Sequence, residues 1–174
     1  LNDDGQINVI DIVQLVNYIL NVNVPEPHQF EAADLNGDDV LNVVDIVQLV
    51  NLILDTGLLK SEQEFEVSIY QSRNNLKITS QSNIAGFEID FENEIEEFSH
   101  SIDGWNFHFN NTKFIGINLE GVSSKELNLP ISTDLNISSN IVVDWNLNSQ
   151  STDIILVPEK FSFLNAYPNP FNPV

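Results

Sequence analysis

Residues 1–20, LNDDGQINVIDIVQLVNYIL, recur as LNGDDVLNVVDIVQLVNLIL over residues 35–54, with an offset of 34 and 14 of 20 positions identical. A repeat of this length and identity is an internal duplication, which has to be recognised before a fold is assigned. In both copies a polar segment is followed by apolar residues at i, i+3, i+4, i+7 and i+8, one stripe of an amphipathic helix. Each copy is therefore predicted to be a polar loop followed by one helix.

The polar loops have the ligand spacing of an EF-hand calcium loop, with oxygen donors at positions 1, 3, 5, 7, 9 and 12. In the second copy the predicted ligands are Asp34, Asn36, Asp38, the backbone carbonyl of Val40, Asn42 and Asp45. In the first copy they are Asn2, Asp4, the carbonyl of Gln6, Asn8 and Asp11. Position 1 of the first loop would precede Leu1, so the sequence predicts two calcium sites, the first without its position 1 ligand in this chain.

Position 6 of such a loop needs a residue that accepts a sharp turn. The first loop has Gly5 there, and the second has Asp39. Asp is one of the few non-glycine residues that tolerate the left-handed region, so we expect a positive φ at Asp39.

Charge and composition exclude several classes of protein. The chain has 26 acidic against 6 basic side chains, a net charge of −20, and the first 57 residues hold ten acids and no Lys or Arg. Such a surplus repels phosphate backbones, which excludes a nucleic-acid partner. The hydrophobic content of 42% predicts a folded chain, and no apolar run is long enough to insert in a membrane. No catalytic motif is present, so we predict that the chain is not an enzyme.

The rest of the chain alternates apolar and polar residues with period two, which is typical of strands. Eight short strands are predicted, at residues 64–70, 75–79, 86–92, 105–109, 113–120, 126–131, 141–147 and 153–157. The fold class is therefore α+β in two parts, a pair of loop–helix repeats followed by an antiparallel β-sandwich. The predicted domains are repeats at 1–59, a linker at 60–63, the sandwich at 64–160 and a Pro-rich tail at 161–174.

The repeat pair resembles a dockerin, in which two calcium loops are each followed by a helix. The resemblance implies calcium-dependent binding to a cohesin, a jelly-roll β-sandwich, through the loop–helix surface of one repeat or the other. Family specificity positions 10 and 11 correspond here to Val9 and Ile10, and to Val43 and Val44, where many cellulosomal dockerins have hydroxyl residues.

A second apolar stripe accompanies these positions. Val9, Ile10 and Val13 form what we call the first-repeat face, and the second-repeat face is formed by Val43, Val44 and Val47. Both faces are predicted to bind a partner. The alternative is that these residues belong to a core, which a small domain can complete only against another surface.

Two weaker resemblances concern the rest of the chain. The stretch IAGFEIDFE at 84–92, with WNFHFNNTKFIGINLEG at 105–121, is similar to a strand pair of cohesin sandwiches. The tail YPNPFNP at 167–173 resembles the start of the C-terminal sorting domain of proteins exported by the type IX route. This second resemblance implies secretion to the bacterial cell surface or the medium.

Three functions are compatible with these features. The first is a secreted, calcium-dependent interaction protein that binds a cohesin-like domain of another copy, which would allow head-to-tail filaments. The second is the C-terminal tethering module of a larger exported enzyme, which docks on a separate cohesin scaffold. The third is a carbohydrate-binding sandwich with structural calcium, in which Trp105 or Trp145 would stack on sugars.

Overall fold

The computed structural model describes residues 1–2, 4–54, 65–95, 98–131 and 136–157 of the 174-residue chain. Within these ranges, three helices are followed by nine strands. The helices are α1 (Val9–Ile19), α2 (Pro27–Ala33) and α3 (Val43–Leu54). The strands are β1 (Val67–Ser72), β2 (Asn75–Ser80), β3 (Ile84–Phe91), β4 (Trp105–Phe109), β5 (Lys113–Asn118), β6 (Glu126–Leu129), β7 (Ile137–Asp144), β8 (Ser149–Gln150) and β9 (Ile154–Leu156). The predicted linker at 60–63 and the tail at 161–174 lie outside the described residues.

Helices α1 and α3 begin where the polar loops end, as predicted. At α1 the side chain of Asn8 accepts the Ile10 N–H at 2.8 Å, and the Asp11 carboxylate accepts the Asn8 N–H at 3.0 Å. This reciprocal pair is a capping box, which satisfies backbone donors that a helix start leaves unpaired. The same two bonds recur at Asn42 and Asp45 before α3. The polar loops therefore fix the helix starts, in addition to containing the predicted oxygen ligands of a metal.

The strands form two sheets. One has four strands in the order β6-β2-β1-β9 and the other has five in the order β4-β5-β3-β7-β8. All described pairs are antiparallel except β1 with β9, which run parallel. The prediction of a wholly antiparallel sandwich is therefore wrong at this pair, and the two-residue strand β8 was not among the eight predicted strands.

The sandwich core lies between the two sheets and is rich in aromatic rings. Phe87 on β3 contacts Trp105 and Phe114 at ring-centroid distances of 6.0 and 5.3 Å. The indole N–H of Trp105 donates to the Ser124 hydroxyl at 3.0 Å, and the Trp105 side chain is buried. Trp105 is therefore a core residue and does not form a surface platform for sugars.

A second core lies on the outer face of the five-stranded sheet, where the helices pack. Its helical members come from α1, α2, α3 and their ends, and its sheet members are Ala85, Ile115, Ile117 and Val143. β3 is consequently buried along nearly its whole length, on both faces. The loop–helix repeats and the sandwich share this core, and α3 contacts β3, β5 and β7.

Among the described residues, no helix combines the length and the apolar character that crossing a bilayer requires.

Candidate calcium loops and docking faces

The second loop is organised around the carboxylate of Asp34. It accepts hydrogen bonds from the backbone N–H groups of Gly37 at 2.9 Å, Asp38 at 3.1 Å and Asp39 at 2.9 Å. These three bonds turn the loop around the Asp34 carboxylate. Asp39 has φ +63°, which confirms the left-handed backbone expected at loop position 6.

Further bonds hold the side chains at loop positions 3 and 5. The Asn36 amide donates to Asp38 at 2.8 Å, and the Asn36 side-chain oxygen accepts the Asp38 N–H at 3.0 Å. Asp38 also accepts the Val40 N–H at 2.9 Å. The side chains of Asn36 and Asp38 are therefore fixed next to each other on the loop.

Asp45 closes the loop from the first turn of α3. Its carboxylate is fully buried and accepts the N–H groups of Leu35 at 2.9 Å and Asn42 at 3.0 Å. Burial raises the pKa of the Asp45 carboxyl, the backbone N–H groups oppose that rise, and the nearby Asp34 charge adds to it. A bound cation would relieve this repulsion.

The first loop repeats this pattern. Asp4 accepts the Gln6 N–H and the Asn2 amide, each at 2.8 Å. Asp11 accepts the Asn8 N–H at 3.0 Å and the Asn2 N–H at 3.3 Å, as Asp45 does in the second loop. The hydrogen bonds of loop positions 3, 5, 9 and 12 are therefore common to both repeats, whereas the bonds to Asp34 at position 1 belong to the second loop.

The donor chemistry of the loops suits calcium. Every predicted ligand offers oxygen, and a hard divalent cation selects carboxylate, amide and carbonyl oxygens. The described residues contain no cluster of three or more His, Cys, Asp or Glu side chains arranged for a metal. Coordination would therefore depend on the Asn side chains and the carbonyl of Gln6 or Val40 as well as on carboxylates.

The second-repeat face is covered by the chain's own sheet. Val43 and Val47 are 0% and 1% exposed, and they pack against Gly86 on β3. A Cβ placed on Gly86 would lie 2.9 Å from Val43 Cγ2 and 3.0 Å from Val47 Cγ2. The absent side chain at Gly86 is therefore what lets α3 approach β3 this closely.

Three polar contacts accompany this packing. The Val43 N–H donates to Glu88 Oε2 at 3.1 Å, and the Asn51 amide donates to the carbonyl of Trp145 at 3.4 Å. At the end of α1, the Asn110 amide donates to the carbonyl of Leu20 at 2.9 Å. Both helices are thus tied to the five-stranded sheet by groups that sit far apart in sequence.

Glu88 is a buried charge at this interface. Its carboxylate pairs with Lys113, whose ammonium also lies 3.3 Å from Asp90. Burial raises the pKa of Glu88, while Lys113 and the Val43 N–H oppose the rise. Burial would lower the pKa of Lys113, but Glu88 and Asp90 outweigh it and the pKa is raised. The ion pair with Lys113 therefore offsets part of the desolvation of the Glu88 carboxyl, which lies at the N-terminal, positive end of the α3 dipole.

The first-repeat face is open to solvent. Val9, Ile10 and Val13 are 55%, 56% and 49% exposed. The sequence predicts the same role for both faces, and the structure gives them different surroundings: one lies against the sheet and the other does not.

The sequence interpretation missed the sheet residues that receive α3. Gly86 and Glu88 break the apolar run of IAGFEIDF, and a glycine inside a strand often marks a close approach of another backbone or side chain. That signal was available in the sequence. The amides of Asn51 and Asn110 carried no comparable signal.

Comparison with known proteins identifies the repeat region. The family model of the dockerin type I domain matches residues 1–54. This segment is dockerin-like, and dockerin type I domains bind calcium, typically dock on cohesins, and occur typically in extracellular or cell-surface proteins. The sandwich lies outside the matched residues. No curated protein matches the chain.

Proposed function

We propose that this chain is a secreted, non-enzymatic, calcium-binding interaction protein in which each repeat presents a protein-docking face. The second-repeat face is used within the chain, and the first-repeat face is left for a partner. The observation that carries the proposal is the contrast in burial between equivalent residues, Val43 and Val47 against Val9 and Val13.

Calcium would act by ordering the loops that precede the docking residues. Asn42 at loop position 9 caps the N–H of Val44, and the neighbouring Val43 N–H is free to reach Glu88. Asp45 at position 12 belongs to the same helical turn. Bound calcium would supply positive charge that holds these carboxylates and amides in one arrangement, which would couple metal binding to the shape of the face.

The partner of the first-repeat face is a cohesin-like domain, either on a separate scaffold or in another copy of this chain. The sandwich of this chain is itself proposed to be cohesin-like. Support comes from its five-stranded sheet, which receives the α3 face of a dockerin-like segment through Gly86 and Glu88. A head-to-tail filament would require this sheet to be vacated, because α3 fills it in the structure.

The other two functions have less support. Tethering of a larger exported enzyme uses the same first-repeat face and differs only in what precedes the repeats. Carbohydrate binding through Trp105 is disfavoured by the burial of that side chain in the sandwich core.

Amide hydrogen exchange tests the calcium-ordered docking. In calcium we expect slow exchange in both α3 and β3, and after chelation we expect faster exchange in both elements together. β2, which lies on the opposite sheet, serves as the internal reference and should keep its protection. Equal exchange of α3 with and without calcium would refute the proposal.

A further inference from the structure

The residues of α3 that touch the sheet are duplicated in α1. Val43 and Val47, which pack on Gly86, correspond to Val9 and Val13, and Asn51 corresponds to Asn17. The residue types are identical at all three positions. Only Val44 differs within the face, and its counterpart Ile10 is larger by one methylene.

The starts of the two helices are also equivalent. Asn8 caps the Ile10 N–H as Asn42 caps the Val44 N–H, at 2.8 and 2.7 Å. The Val9 N–H therefore has the same position on α1 as the Val43 N–H, which donates to Glu88, has on α3. The first repeat thus carries counterparts of the groups through which α3 contacts Gly86, Glu88 and Trp145.

The described part of the chain has two such faces and one sheet surface, that of β3, β5 and β7, on which one of them is docked. Both Val43 and Val47 converge on the single glycine Gly86, so the sheet accommodates one helix at a time. The remaining face, on α1, is exposed and apolar. Its residues match those of α3 that pack on the sheet of β3, β5 and β7.

We propose that the sheet of β3, β5 and β7 is a receptor for either helix, and that the first-repeat face of one copy docks on this sheet of a second copy once α3 has left it. In that complex Val9 and Val13 cover Gly86, the Val9 N–H donates to Glu88, and the Asn17 amide reaches the Trp145 carbonyl. The proposal rests on the proposed function, because it names the partner of the first-repeat face.

Docking of α3 within the chain then restrains self-association. A tethered helix competes at an effective concentration of about millimolar, which a free second copy at lower concentration does not match. Release of α3 leaves each chain with an open sheet and an open first-repeat face. Copies in this state join head to tail, since the contact is heterologous.

A two-component binding experiment tests the proposal. The immobilised receptor is the full chain with Val9→Asp, Val13→Asp, Val43→Asp and Val47→Asp, in which both helix faces are charged and the sheet is open. The analyte in calcium is the wild-type chain, whose α3 is docked and whose first-repeat face is free. We expect saturable 1:1 binding.

The matched analyte carries Val9→Asp and Val13→Asp only. Its α3 stays docked within the chain, and its first-repeat face is charged. We therefore expect it to bind the receptor at least about tenfold more weakly than the wild type does, a difference of about 1.4 kcal/mol. Equal binding of the two analytes would mean that α3 exchanges between copies, which overturns the assignment to α1. A receptor that also carries Gly86→Leu should bind neither analyte.

Receptor folding is checked by its thermal transition and its near-ultraviolet signal from Trp105. If the Asp receptor does not fold, serine at the same four positions gives a milder receptor for the same measurement. Absence of wild-type binding to a folded receptor overturns the proposal. That result would leave the calcium-ordered docking within the chain intact, because hydrogen exchange measures it separately.

Discussion

The backbone N–H of Val43 donates to Glu88 Oε2 at 3.1 Å, which joins the first turn of α3 to the middle of β3. A carboxylate at a helix N-terminus is favoured by the partial positive charge of the unpaired N–H groups. Here that carboxylate comes from another part of the fold, 45 residues further along the chain. The bond therefore couples the orientation of a calcium-loop helix to a strand of the sandwich.

Glu88→Gln should change how stability depends on pH. Burial raises the pKa of Glu88 in the folded chain above the ordinary 4.5. The contribution of this carboxyl to the free energy of unfolding is therefore fully present below pH 4.5 and is lost as pH rises through the folded pKa. We expect the stability of the wild type relative to Glu88→Gln to fall over that rise. Urea unfolding at a series of pH values measures it.

The exposed Glu120→Gln is the control for that series, since it removes one carboxylate outside the interface. A wild-type to Glu88→Gln difference that stays constant with pH would contradict the raised pKa.

Gly86→Val should displace α3 from the sheet. The new side chain meets Val43 and Val47, and overpacking of this kind costs about 1–3 kcal/mol of unfolding free energy. Relative to the wild type, we expect Gly86→Val to accelerate hydrogen exchange more in α3 than in β1. Gly116→Ala is the matched contrast, because a Cβ there meets the Phe87 ring on the other side of the sheet. It should lower stability without selectively releasing α3, and equal exchange patterns in the two variants would argue against the interpretation.

Asp34→Ala should reduce calcium stoichiometry by one ion per chain. Asp34 is the carboxylate around which the second loop turns, and its loss removes the predicted position 1 ligand. Titration calorimetry gives the stoichiometry. Asp39→Gly is the control, since glycine accepts the φ of +63° and Asp39 is not a predicted ligand. Unchanged stoichiometry in Asp34→Ala would exclude this site.

Trp105→Ala should destabilise the sandwich by about 3–5 kcal/mol, the usual range for truncation of a buried aromatic side chain. The variant also leaves the Ser124 hydroxyl without its indole partner. Thermal unfolding measures the loss. A variant of normal stability that lost affinity for glycans would instead favour the carbohydrate-binding function.

Local features of the fold were predictable from the sequence. The polar loops and apolar stripes located α1 and α3, and the alternation at 105–109 gave the bounds of β4. The prediction for β5 ran two residues too far, because Asn118 ends the strand by accepting the Val122 N–H and donating to the Val122 carbonyl. That exchange depends on the folded loop.

Nonlocal features were not predictable. The parallel pairing of β1 with β9 joins Ile69 to Ile154, and no short-range pattern reports such a contact. The unequal burial of the two repeat faces has the same origin, because repeats with nearly equal sequences differ only in what they meet. The second-repeat face is buried because it meets the sheet residues Gly86 and Glu88.

The aliphatic residues Ala85, Ile115, Ile117 and Val143 lie on the outer sheet face and are at most 1% exposed, because the helices cover them. Cutting the chain between the repeats and the strands would uncover all four at once, on a sheet that is already full on its inner side. A sandwich expressed alone would therefore expose an apolar surface and would tend to aggregate. The end of the dockerin match at residue 54 marks a family boundary that runs through the middle of one hydrophobic core.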